Sequence, residues 1–264
     1  MEVFFLIIGI TTIALWIYFG TGRRRTNKQP LQDFPASWKT FLENHVRFYM
    51  DLSNEDKQIF QKRVQLFLTS KNIEGIDTEI DDTIKLMVAS SAIIPTFAFS
   101  GYNYPNVSSV LVYPNSFDEQ FQTARYKGHK QFISGMVGNR FMNGTVILSR
   151  PDLEKAFDGQ VHKENVGVHE FVHLLDKEDG AIDGIPEFLL QHRYVGPWLH
   201  EVKNEMVRIR KDKSDINPYA LTNNAEFLAV VSEYFFSNPK SFQDRHPKLF
   251  AFLSSIYNTD NSTS

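Results

Sequence analysis

Apolar residues recur along this chain in three different rhythms. From Val3 to Gly20 there are 18 consecutive residues without a charge, apolar on every side of a helix. At 1.5 Å per residue such a helix reaches ~27 Å, close to the ~30 Å hydrocarbon core of a bilayer. Further on, Ile59, Phe60, Val64, Phe67 and Leu68 return every three to four residues. They follow Ser53-Asn54-Glu55-Asp56, a helix start of the S-x-x-D kind, so the pattern predicts an amphipathic helix. Residues 81–94 predict another helix, stopped at Pro95. The third rhythm is short: 108–113 and 144–149 are β-branched and apolar runs, the strand candidates, with an aromatic and glycine-rich stretch at 126–144 between them. Val168, Phe171, Val172 and Leu175 keep the i, i+3, i+4, i+7 spacing of a helix with one buried face. Gly180 and Gly184, with Asp179 and Asp183, end it in a loop. Helical patterns return at about 195–211, 223–237 and 247–257, and no internal repeat or low-complexity segment interrupts them. The sum is a helix-rich α+β fold with a small sheet beside the 168–175 helix.

The charges around the first apolar run decide how it is read. Trp16 and Tyr18 sit where an interfacial aromatic anchor belongs, and Arg23-Arg24-Arg25 with Lys28 follow directly. A cleaved signal peptide carries its positive charge before the apolar run, not after it. The expectation is an uncleaved single-pass transmembrane anchor at 1–20, contacting the bilayer through 3–20, with the rest of the chain on the cytoplasmic side. A buried core helix is the alternative, and the flanking charge argues against it. Residues 21–36 are polar, contain Pro30 and Pro35, and read as a linker to a domain at 37–264. With 42% hydrophobic residues in 264, there is material for one sizeable core or two small ones. A net charge of −3 gives no support for direct nucleic-acid binding, and the absence of cysteine excludes disulfides and thiolate metal sites.

The chemistry concentrates in His169-Glu170-Phe171-Val172-His173, an H-E-x-x-H sequence on a predicted helix. Four residues apart, the two imidazoles project from one helix face and can share one Zn²⁺. Glu170 lies near the same face, placed to take a proton from a water activated there. Asp176 shares their side of the helix, either orienting a ligand imidazole or standing as a plain surface carboxylate. A catalytic zinc needs a third protein ligand. Asp176 and Asp179 stand where the metzincin extension needs Gly and His, which excludes that class. Glu187 follows a Gly-Ile-Pro loop; the stretch from Thr222 to Glu233 offers better candidates. Its Thr/Asn cluster supplies an N-cap to an apolar helix on which Glu226 and Glu233, seven apart, face the same way. Buried carboxylates there need a partner such as a metal with its imidazoles; two exposed glutamates are the alternative. The six other histidines are scattered and read as structural or surface groups, with His162 reaching the cleft only if the motif helix begins early. The 23 phenylalanines are core material, any surplus serving to line an apolar pocket.

His169 to Asp176, then Asn217-Pro218-Tyr219-Ala220, Ala225-Glu226-Phe227 and Ser232-Glu233-Tyr234-Phe235-Phe236 resemble the Mlc titration factor A (MtfA) family of zinc peptidases. Val110 to Pro114 and Gly144 to Leu148 also resemble segments of that family, so the likeness runs from about residue 35 to the C-terminus. Around Tyr219 and Ala225-Glu226-Phe227 there is a more distant likeness to the peptidase domain of anthrax lethal factor. The resemblance implies a zincin-like metallopeptidase with one zinc per chain, His169, His173 and Glu226 as its ligands, and Glu170 as general base. It also implies that Tyr219 donates a hydrogen bond to the developing oxyanion, that Glu233 stands behind the ligands, and that the substrate is a peptide, with aminopeptidase-type cleavage. In related zinc peptidases an edge strand holds the peptide by backbone pairing; the expected strand here is 144–149. Members of the family take their name from sequestering a sugar-responsive transcriptional repressor, so the resemblance also implies a regulatory partner as the competing role.

Overall fold

Side-chain caps start five of the ten described α-helices, at the places where the polar-to-apolar switch puts them. The computed structural model describes residues 33–115, the backbone of 135–137, and residues 144–186, 189 and 194–257. Helix α1 (Ala36–His45) and the single turn α2 (Arg47–Met50) come first. Ser53 then accepts the Asp56 N–H at 3.1 Å and opens α3 (Asn54–Ser70), burying Phe60, Val64 and Phe67. Strand β1 (Asn72–Gly75) follows, and Asp81 caps α4 (Asp82–Ile93), which passes at Pro95 into a 3₁₀ turn, Ile94–Thr96. Next come β2 (Ser109–Tyr113), β3 (Gly135–Val137), β4 (Thr145–Ser149) and α5 (Arg150–Ala156). The motif helix is α6 (Val166–Asp176), extended by a 3₁₀ turn at Lys177–Asp179. The last third holds α7 (Val195–Arg210), the 3₁₀ turn Pro218–Leu221, α8 (Asn224–Ser237), α9 (Pro239–Arg245) and α10 (Pro247–Ile256). The expected helix-rich α+β class is the observed one, and Phe34–Ser264 forms one compact unit.

The strand order is β1-β2-β4-β3, with β1, β2 and β4 parallel and β3 antiparallel to β4. This corrects the expectation that 144–149 is an edge. Strand β4 is interior, paired along Ser109–Tyr113 on one side and Gly135–Val137 on the other. Its composition agrees, because Val146, Ile147, Leu148 and Ser149 are all buried, as a strand covered on both faces requires. The strand at 135–137 is three residues inside a glycine-rich stretch, too short to carry a readable period.

The core fills the space between the sheet and α6. Phe171 packs edge-on against Phe67 (5.8 Å between centroids) and against Tyr104 (4.9 Å). A second aromatic group, Phe235, Phe236 and Tyr257, ties α8 to α10. Helix α6 is buried all round from Gly167 to Asp176, not on one face alone. Its apolar side meets the sheet and α4, and its polar side meets α8. Among the described residues no helix is long and apolar enough to cross a membrane. Residues 3–20, on which the anchor is expected, and most of the 21–36 linker lie outside the described residues, as do Glu187, His129 and His192.

Candidate metal centre

Five buried or half-buried ionisable groups, His169, Glu170, His173, Glu226 and Glu233, meet where α6 faces α8. Asn165 caps α6, its Oδ1 accepting the Val168 N–H at 3.0 Å, so the helix starts at Val166, three residues before His169. His162 lies outside that helix, where its Nε2 is 2.9 Å from the Asp158 carboxylate. Gly167 lets α6 approach α4 closely: a Cβ there would sit 2.1 Å from Ser91 Oγ. On the other side Asn223 caps α8 by accepting the Glu226 N–H at 2.8 Å, which places Glu226 in the first turn.

The three ligand-type atoms form a small triangle. His169 Nε2 lies 2.9 Å from Glu226 Oε2 and 3.1 Å from His173 Nε2. His173 Nε2 lies 3.4 Å from Glu226 Oε2, and the three atoms stay within 4.8 Å of one another. Ligand atoms ~2.0–2.1 Å from one tetrahedral ion are themselves ~3.3 Å apart, so the triangle is of the right size. Its donor set argues the same way. Glu233 Oε1 is 2.6 Å from His169 Nδ1, which makes Nδ1 the protonated nitrogen and leaves a lone pair on Nε2. That lone pair points at a carboxylate oxygen and a second imidazole nitrogen. Without a metal, protons on the imidazoles join these atoms to Glu226; with Nε2 deprotonated, the two imidazoles and the carboxylate can share one divalent cation.

Glu233 is buried and uses both oxygens, the second accepting the Asn165 N–H at 2.6 Å. Asp176 is fully buried too, but Oδ2 accepts the Gly184 N–H at 2.8 Å and Oδ1 has no partner among the described residues. His173 Nδ1 also has none among them. The carboxylate hydrogen-bonded to an imidazole Nδ1 here is therefore Glu233, whereas Asp176 bonds the loop after the helix.

Electrostatics separate the carboxylates. Burial pushes the Glu170 carboxyl above its ordinary range, with Glu226 and Glu233 adding to the effect and the two imidazoles opposing it. Burial also disfavours the charged form of Glu226, but His169 and His173 outweigh it and hold this carboxyl down to about 2. Tyr219 stands at the mouth of the site, 44% exposed, its ring 6.1 Å from that of His169. Partial burial and the three glutamates keep its phenol protonated beyond the ordinary range. The Pro218–Leu221 turn that carries it is held by Asn217. This side chain accepts the Tyr219 N–H at 3.0 Å and donates to Glu164 at 2.9 Å.

All seven residues singled out in the sequence lie in or beside this site. Sequence reasoning did not place Asn165 or Gly167 at the site, and it read Gly184 only as part of the loop that ends the motif helix. Asn165 had a readable signal, an N-cap residue type directly before an apolar period. The two glycines had none, because their close neighbours are distant in sequence.

A family model described as glucose-regulated metallo-peptidase M90 matches residues 21–258. An uncharacterized protein of Synechocystis sp. is 30% identical over 235 residues, which is 84% of each chain. Mlc titration factor A of Cronobacter sakazakii is 28% identical over 237 residues, 86% of this chain and 87% of its own. The protein of the same name from Escherichia fergusonii is 28% identical over 244 residues, covering 88% and 89%.

Proposed function

The chain belongs to the glucose-regulated metallo-peptidase M90 family, and from that premise we propose a zinc-dependent peptidase of zincin-like fold, with aminopeptidase-type action on short peptides. The observation that carries the reading is the triangle of His169 Nε2, His173 Nε2 and Glu226 Oε2 beside buried Glu170. These three residues would hold one Zn²⁺, which when bound would supply Lewis acidity to the scissile carbonyl and bring the pKa of a water toward ~7. Glu170 takes the proton of the attacking water and returns it to the leaving amine. Tyr219, kept as the neutral phenol, donates to the carbonyl oxygen as negative charge develops there. Glu233 fixes the ring of His169. The peptide backbone pairs along the outer edge of β3, which packs beside α6 and has no other strand on that edge among the described residues. Residues 1–20 anchor this peptidase domain, 37–264, to a membrane with the site on the cytoplasmic side.

The relatives named Mlc titration factor A favour a second reading, a protein that sequesters a transcriptional repressor while catalysis is secondary. One variant separates the two. Glu170→Gln keeps the ligand set and removes the base, so zinc content should remain at one per chain. Hydrolysis of aminoacyl anilides should then fall by about 10²- to 10⁴-fold. A zinc-loaded Glu170→Gln protein with wild-type turnover contradicts the mechanism. Loss of turnover with an undiminished regulatory effect favours the sequestering role.

A further inference from the structure

The two ligand-bearing helices belong to distant parts of the chain, His169 and Glu226 being 57 positions apart. A shared ion tolerates errors of only a few tenths of an ångström in their separation. Something must hold the first turn of α8 at a fixed distance from α6. One loop touches both. Gly184 donates its N–H to Asp176 Oδ2 at 2.8 Å, at the C-terminal end of α6. Its carbonyl accepts the Trp198 Nε1–H at 2.7 Å, from a fully buried indole on α7. Its φ is +76°, and a Cβ on it would lie 2.2 Å from Asn224 O and 2.8 Å from Ala225 N. Those two residues immediately precede Glu226 in the first turn of α8. The backbone of Gly184 is thus in direct contact with the segment that carries Glu226, while one of its hydrogen bonds ties it to the helix that carries both histidines.

We propose that the turn at Gly184, anchored by Asp176 and Trp198, is the spacer that sets the position of Glu226 against His169 and His173. Gly184 and Asp176 are positioning residues for the metal site. This rests on the reading that those three side chains hold zinc. It also gives Asp176 a reason for complete burial: the carboxylate reaches no imidazole, and its one hydrogen bond goes to the turn. Any side chain at 184 drives the first turn of α8 away and opens the triangle on the Glu226 side. Removing the Asp176 acceptor lets the turn drift, with the same result at the ligand atoms.

The test is a zinc titration of the full-length protein against a chromophoric chelator, with the visible absorption spectrum of Co²⁺-loaded protein as a second readout. Wild type, Gly184→Ala, Asp176→Ala, Asp176→Asn and Glu226→Ala are compared, and the melting temperature of each metal-free protein shows whether it is folded. We expect Gly184→Ala and Asp176→Ala to bind zinc about 10- to 100-fold more weakly, the range for groups that orient ligands. Their Co²⁺ spectra should move toward that of Glu226→Ala. Asp176→Asn retains an acceptor oxygen for the Gly184 N–H and should restore both readouts. Should Gly184→Ala not fold, the Asp176→Ala and Asp176→Asn pair carries the test. Folded variants with wild-type affinity and spectrum overturn the spacer and leave the zinc site standing. A wild type that takes up no zinc, or a Glu226→Ala protein that binds it equally well, overturns both.

Discussion

Glu233 joins two functions in one carboxylate, orienting the His169 ring through Oε1 and holding the backbone ahead of α6 through Oε2. A glutamine can accept only one of these two hydrogen bonds. Glu233→Gln is therefore expected to weaken zinc binding by about 10- to 100-fold, measured by the same chelator competition, and an unchanged affinity would contradict the orienting role. Glu226 and Glu233 also show where residue-level reading stops. The H-E-x-x-H spacing needs nothing but helix geometry, so both imidazoles and Glu170 were legible at once. The two downstream glutamates are two turns apart on one face, and spacing alone cannot rank them. Their different work follows from the register of α8 against α6, which puts Glu226 at the Nε2 side of His169 and Glu233 at the Nδ1 side. That register is a tertiary fact with no local signature.

Elements with their own caps or long apolar periods were readable from the chain. The helices capped by Ser53 and Asp81 start where expected, and the strand candidates at 108–113 and 144–149 are both strands. What failed was adjacency. Strand β3 contributes three residues, and without it β4 reads as an edge. Strand β1, Asn72-Ile73-Glu74-Gly75, is only one residue longer and carries no β-branched run. The close contact of α4 with α6 was hidden for the same reason, because neither Gly167 nor Ser91 announces its neighbour. A Cβ at 167 would lie 2.5 Å from Ser91 Cβ and 2.1 Å from its Oγ. Gly167→Ala should therefore destabilise the protein by about 1–3 kcal/mol, the usual cost of overpacking, despite the better helix propensity of alanine. Combining it with Ser91→Gly makes room, and a double-mutant cycle in urea should show favourable coupling. A Gly167→Ala protein as stable as wild type would show that the helices can separate at no cost.

Away from the metal centre, a second polar hub joins the C-terminal helices to the segment before α6. Asp215 receives Lys163 at 2.6 Å, His246 at 2.7 Å and Tyr234 at 2.9 Å. The other side of His246 faces Glu205 at 3.2 Å. Burial alone would lower the proton affinity of His246, but the two carboxylates outweigh it and raise the imidazole above its ordinary value of 6.5. Burial likewise opposes ionisation of Asp215, and the bonds from Lys163, His246 and Tyr234 outweigh it, holding this carboxyl well below 3.8. The imidazolium's contribution is complete below pH 6.5 and is lost as pH rises through its elevated pKa. The carboxylate's is present above pH 3.8 and is lost as pH falls toward its depressed pKa. His246→Asn should thus cost about 3 kcal/mol between those limits, the scale for breaking a buried pair, with a melting-temperature gap that narrows as pH rises through the elevated His246 pKa. A gap that widens there would contradict the assignment. Around the metal centre the chain brings together an N-cap, two helices and a turn. The most direct test of that convergence is the zinc content of the full-length protein beside Glu226→Ala and Glu233→Ala. The account predicts one zinc per chain in the wild type, lost in Glu226→Ala and bound more weakly but still present in Glu233→Ala; equal retention in both variants, or no zinc in the wild type, would contradict it.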